Sequence, residues 1–273
     1  MPICNTPSGW QAELRLGFTR EPDRTVLARR YHRGPLTVQK PLYDGDGVCQ
    51  VCLLHPPAGV VGGDELTLSI TADEAARVLV TTPAAGKFYR SAGAWARQTV
   101  ELTLARDASL EWLPQETLFY QGARVRSRIR VNLHEEARFI GWEFSVLGRP
   151  AAGEGFSHGE VMLDWQMYQA AQPLLLERQR LDGAALAAVW GLGGQPMTAT
   201  LWAYPATSRE LERLQALIAD DPDTGVTLLN RLLVLRSRNR CIMRLQQRLR
   251  QAWAELRPDI IGCKPHPPRI WNT

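Results

Sequence analysis

Three acidic residues stand where acids are costly. Asp64 closes the loop Gly59-Val-Val-Gly62-Gly63-Asp64-Glu65, Glu143 lies inside Phe139-Ile140-Gly141-Trp142-Glu143-Phe144, and Glu177 follows Leu174-Leu175-Leu176. A carboxylate taken out of water is unfavourable unless it is paired, hydrated or bound to a cation. Two solutions are open. An arginine can neutralise each acid, or the three can line a wet internal passage of hard oxygen donors. A softer set, Cys49-Gln-Val-Cys52-Leu-Leu-His55, offers two thiols and an imidazole within one short stretch. On a regular strand the two cysteines face opposite sides, and no second Cys-x-x-Cys pair completes a tetrahedral site. Buried thiols are the expectation there, and a structural hydrogen bond the expectation for His55 in its turn-rich stretch.

Other chemistries fail on their residues. Ala85-Gly86-Lys87 is followed by Phe88 where a phosphate loop needs Ser or Thr, and Thr81 stands where its first glycine belongs. Gly148-Arg-Pro-Ala-Ala-Gly-Glu154 puts an acid where that motif needs lysine. His134-Glu135-Glu136 does not extend to a zinc-protease motif, there is no Gly-x-Ser-x-Gly elbow, and no cysteine has a flanking nucleophile signature. Neither nucleotide binding nor hydrolysis is expected.

These residues must be held by strands. The clearest period-two run is Arg124–Leu133, with Val125, Ile129, Val131 and Leu133 on one face and four arginines on the other. Similar runs recur at 65–71, 77–82, 99–105, 139–146, 160–167, 174–181 and 198–203, with Gly, Pro or Asp punctuating most gaps. Helix comes late. Thr207-Ser208-Arg209-Glu210 fits a capping box opening a helix over 207–221, residues 225–234 read as strand-like or mixed, and an amphipathic stripe predicts a second helix over 239–257, stopped by Pro258. The reading is one all-β dominated domain over 1–273: a β-rich body over about 9–205, two C-terminal α-helices, and a tail over 258–273. No fixed-period repeat stands out.

Bulk composition agrees. The chain has 273 residues, 45% hydrophobic and 22% charged, with a formal net charge of +4. That charge is too mild and dispersed for a nucleic-acid footprint. Only Lys40, Lys87 and Lys264 are lysines among 32 basic residues, so arginine dominates, as interfaces or a GC-rich genome would both give. Met1-Pro2-Ile3-Cys4-Asn5 lacks a leader's basic and apolar regions, no run is long enough to span a membrane, and five scattered cysteines suit a reducing compartment. A soluble, cytoplasmic protein is expected.

Several segments together resemble the UreD family of urease accessory proteins, also called UreH. They are Leu54-His-Pro-Pro-Ala-Gly-Val-Val-Gly-Gly-Asp-Glu-Leu66, Thr81-Thr-Pro-Ala-Ala-Gly-Lys-Phe-Tyr-Arg90, Leu110-Glu-Trp-Leu-Pro-Gln-Glu116, Leu147-Gly-Arg-Pro-Ala-Ala-Gly-Glu154 with Phe156-Ser-His-Gly159, and Pro268-Arg-Ile-Trp-Asn-Thr273. Cys49 and Cys52 are outside the family pattern, and Ala58 replaces a frequent glycine. The resemblance implies a right-handed β-helix-like body and a non-catalytic scaffold. Such a scaffold binds urease apoprotein and the accessory protein UreF, and through UreF the nickel-carrying GTPase UreG. No tightly bound cofactor is implied, only transient Ni²⁺. A transit path must admit an ion and release it again. Isolated carboxylates with water suit that better than a thiolate or imidazole cage, so Asp64, Glu143 and Glu177 are the expected path acids. A competing reading is a β-helix enzyme acting on an acidic polysaccharide.

Overall fold

The run Arg124–Leu133 is a strand, with Val125, Ile129, Val131 and Leu133 buried and Arg126, Arg128 and Arg130 facing solvent. It is one rung of a stack in the computed structural model, which describes residues 9–43 and 46–272. The segment Met1-Pro2-Ile3-Cys4-Asn5, from which the absence of a leader was expected, lies outside the described residues.

In the first sheet, β1 (Gln11–Arg20), β5 (Glu65–Ala72), β8 (Ala96–Leu104), β11 (Arg124–Leu133) and β13 (Glu160–Gln169) lie parallel in that order. Facing them, β4 (Cys49–Leu54), β6 (Arg77–Thr81), β9 (Ser109–Leu113) and β12 (Arg138–Leu147) form a second parallel stack. A short third side is made by β7 (Gly86–Phe88) and β10 (Thr117–Phe119) with the end of β12. The chain is thus strand-dominated, a β-solenoid of about 4 turns.

Register turns the sequence into stacked rows. Leu14, Leu68, Val100, Ile129 and Trp165 form one inward row, Val51, Val80 and Trp112 another, and Val60, Phe88, Phe119 and Leu147 line the third side. All are buried. Each such side chain contributes about 1.5–3 kcal/mol through removal from water. The arcs between sheets also repeat: Ala76, Ala108 and Ala137 are fully buried after equivalent turns. The Ala105, His134 and Ala170 amides donate to Ala72, Leu104 and Leu133, each one coil below.

Antiparallel strands close the stack. On the first sheet β2 (Thr25–Arg33) covers β1 and β14 (Gln172–Leu181) covers β13. On the second, β3 (Thr37–Val38) pairs with β4, while β15 (Met197–Tyr204), β17 (Leu232–Asn239) and β16 (Thr224–Leu229) follow β12. The mixed run at 225–234 is therefore a hairpin, turning at Asn230 in the left-handed region.

Three α-helices are present among the described residues. The short α1 (Gly183–Ala187) is capped by Asp182, whose carboxylate accepts from the Ala185 amide at 2.8 Å. The expected capping box is realised at α2 (Ser208–Leu217), where Glu210 accepts from the Thr207 amide. This helix ends before 221. Replacing Thr207 by Ala is expected to lower stability by about 1 kcal/mol, read as a shift in the urea midpoint with unchanged slope.

The last helix, α3 (Ile242–Ile260), corrects the expected stop at Pro258, because it runs through the proline. Proline removes only one amide so near the end, and the Arg257 carbonyl still accepts from Ile261 and Gly262 at 2.9 and 3.2 Å. Its buried stripe, including Leu245, Leu249, Trp253 and Leu256, packs on the outer face of the second sheet. The tail is packed as well: Trp271 lies between Trp142 and Trp253 and donates to the Thr81 hydroxyl at 3.0 Å.

A cavity between the sheets and the acids at its ends

A cavity of about 570 Å³ lies between the two sheets. Leu68, Val100 and Ile129 wall it on one side, and Trp112, Trp142 and Phe144 on the other. Its ionisable lining residues are His55, Lys87 and Glu143. His55 follows β4 in the first coil, and Glu143 lies on β12 in the last, so the space runs along the solenoid axis.

At the first end, Asp64 is spent on the backbone. One carboxylate oxygen accepts from the Trp10 amide at 2.8 Å, and the other from the Val61 amide at 2.9 Å. These bonds close the loop over residues 59–65, in which Gly63 takes a φ of 99° that a larger side chain would resist. Burial lowers the His55 pKa, with the Asp64 charge opposing it. The imidazole is therefore neutral near pH 7 and keeps a lone pair available.

At the other end the fold brings Glu143 and Glu177 together. Glu143 accepts from the Trp165 indole at 2.9 Å. Burial pushes its pKa up to about 7, the indole hydrogen bond pulls it down, and the Glu177 charge raises it further. Glu177 stands directly across from Trp165 in the β13–β14 register. It pairs with Arg236 and accepts from the Gln179 side-chain amide. Trp165 is fixed by stacking on Trp202, with ring centroids 3.9 Å apart. Thr200 lies between Glu143 and Arg236 in one cross-strand row.

The three acids thus meet three different fates. Glu177 has an arginine, Asp64 has two backbone amides, and Glu143, among the described residues, has only an indole N–H. The thiols behave as expected of buried cysteines: Cys49 faces the core and approaches the Tyr43 hydroxyl at 3.8 Å, while Cys52 faces the other way. Burial raises the pKa of both, that of Cys52 to about 11. Among the described residues, no three His, Cys, Asp or Glu side chains gather to hold a metal.

Sequence reasoning passed over a fourth acid. Glu111 lies in Ser109-Leu-Glu-Trp-Leu113, where every residue is buried. Arg257 of α3 grips it through Nε at 3.0 and 3.1 Å and Nη2 at 3.0 Å, and the Trp253 indole donates at 2.7 Å. The signal was the same as for the other three, an acid inside an apolar run.

The family model described as "UreD urease accessory protein" matches residues 11–272. The chain is similar to a protein named "Urease accessory protein UreD" from Enterobacter sp. (strain 638), at 43% identity over 100% of this chain and 98% of that protein. It is similar to proteins of the same name from Klebsiella aerogenes and Pseudomonas entomophila (strain L48), each 41% identical over 97% of this chain and over 97% and 95% of those proteins.

Proposed function

The chain belongs to the UreD family of urease accessory proteins, and from that premise we propose that it is a non-catalytic scaffold carrying nickel toward apo-urease through its interior. In this reading it docks on the urease apoprotein and binds UreF, which brings UreG and its nickel. Ni²⁺ is cargo, moving along the cavity between the Asp64–His55 end and the Glu143–Glu177 end. The observation that carries the reading is Glu143: a carboxylate on the wall of an internal cavity, with no cation paired to it among the described residues. Such a group is costly for stability alone and useful to an ion that must be held briefly. Asp64 shapes the first end, and Glu177 serves the second jointly with Glu143. No helix among the described residues is long and apolar enough to cross a membrane, which suits a partner of a cytoplasmic enzyme.

The outer face of the first sheet suits docking to an acidic protein surface. Arg124 and Arg126 stack over Trp95 at 4.5 and 4.4 Å, and Arg130 over Tyr168 at 4.5 Å, so their guanidinium groups are held in place.

The test is co-expression of the urease subunits, UreF and UreG with and without this chain under limiting nickel. Nickel content and urease activity are both expected to depend on it. Full activation without it would overturn the scaffold role.

A further inference from the structure

Where the short third side turns into the first sheet, loops over residues 89–95, 120–123 and 157–159 stack in successive coils. The Ser91 amide donates to the Gly122 carbonyl at 3.1 Å, and the Gly122 amide to the His158 carbonyl at 2.8 Å. These loops frame a cleft of about 730 Å³ that shares no lining residue with the cavity between the sheets. Its ionisable lining residues are Arg90, Arg124, His158 and Glu160. Glu160 is already answered, pairing with Arg180 at 3.0 Å, and His158 shares a hydrogen bond with the Ser157 hydroxyl at 3.2 Å. Arg90 and Arg124 make no ion pair among the described residues. Arg124 is fixed at the cleft by the Gly93 carbonyl, to which it donates, and by the Trp95 ring, whose centroid lies 4.5 Å from its guanidinium carbon. Gly122, at a φ of 80°, makes room for Arg90, since a side chain there would come within 2.8 Å of Arg90 Cγ.

We infer that this cleft receives an extended acidic segment of a partner protein, whose carboxylates pair with Arg90 and Arg124. The inference goes beyond the docking reading of the sheet's outer face, with which it shares only Arg124, and it depends on neither that reading nor the nickel passage. Each guanidinium presents a planar fork that matches a carboxylate in geometry and charge. The extent of the site favours a peptide over a single small anion. Coils about 4.8 Å apart give the three loops a span of about 10 Å, the length of about three extended residues. Because Arg124 is already held, it has little side-chain freedom left to lose on binding. Gly93 leaves the way in open, as a methyl group there would meet nothing within 4 Å.

The full chain is titrated into a fluorescein-labelled tetraglutamate peptide and into its tetraglutamine counterpart, with binding read by fluorescence anisotropy. Salt is held at about 0.15 M, where longer-range attraction is screened. The glutamate peptide is expected to bind and the glutamine peptide not to. Arg90→Gln and Arg124→Gln, their folds checked by urea unfolding, are each expected to weaken binding about tenfold, equivalent to one charge-assisted hydrogen bond. Arg30→Gln, on the edge strand β2 of the same sheet, is expected to leave it unchanged. No binding of the glutamate peptide, or equal binding by Arg90→Gln and parent, would overturn the cleft. Displacement of the peptide by inorganic phosphate at equal concentration would overturn it too, marking a site for a small anion. The outer face is read separately through the double variant Arg126→Gln, Arg130→Gln. Binding lost there but kept in Arg90→Gln would leave the face and remove the cleft, and the reverse would leave the cleft and remove the face.

Discussion

Replacing Arg257 by Leu is expected to cost about 3–5 kcal/mol of stability, enough to leave much of the chain unfolded at modest urea concentrations. The side chains of Glu111 and Arg257 are each 1% exposed. Burial pushes the Glu111 pKa up, while the Arg257 charge and the Trp253 indole pull it back. Burial would lower the Arg257 pKa, but the Glu111 charge overrides that and raises it. Leucine deletes the cation and leaves a desolvated acid that must find a proton. It also frees the Lys264 carbonyl, which Arg257 holds, and so loosens the chain that follows α3. The variant carrying Leu at both Glu111 and Arg257 should recover most of the loss, because a well-packed apolar pair removes both charges. Urea midpoints of the two single variants and the double variant form a double-mutant cycle. A double variant as unstable as Arg257→Leu would mean that the packing of the guanidinium, and not its charge, seats the helix.

Glu143→Gln is expected to separate stability from function. Its pKa rises in the fold from 4.5 to about 7. Between those values the folded state holds a proton that the unfolded chain has released, so this group lowers stability as pH climbs to about 7, and the loss persists above. The shift corresponds to about 2 kcal/mol once the surface Glu143 keeps on the cavity is allowed for. Glutamine has no such proton, so the variant should be more stable than the parent at pH 8 and indistinguishable from it below pH 4.5. Taking the difference isolates Glu143 from His55, whose lowered pKa works in the opposite direction. In the co-expression assay under limiting nickel, the same variant should load about tenfold less nickel or worse, equivalent to about 1.4 kcal/mol on the transit barrier. A variant both more stable and fully competent would remove Glu143 from the path.

The fold was legible where one strand face meets water. Arg124–Leu133 alternates cleanly because arginines cover its outer side. Strands of the second sheet are buried on both faces, since α2 and α3 cover the outside; the runs at 139–146 and 198–203 still read as strands, but Ser109–Leu113, buried at every position, does not. The solenoid repeat stayed hidden because its coils of about 30 residues differ in arc length, and little beyond the alanines at 76, 108 and 137 recurs. Glu143 and Glu177 were visible as acids in apolar company, and Glu111 carried the same mark. Arg236 was not legible. Nothing local separates it from Arg238, which pairs instead with Asp223, because strand order chooses the partner.

The antiparallel strands that close the first sheet have a consequence for solubility. A parallel stack with bare ends is a template on which a further copy can add, the route by which cross-β fibres lengthen. Here the terminal strand at one end exposes Arg29, Arg30 and Arg33, and that at the other carries Pro173, Arg178 and Arg180. Arg29, Arg178 and Arg180 each pair with an acid of their own chain. Arg30 and Arg33 make no ion pair among the described residues and leave positive charge on one end, while the proline at the other offers no amide to an incoming strand. Part of the arginine surplus therefore keeps the stack finite, whatever the partners require of the rest, and that protection weakens as salt screens the charges.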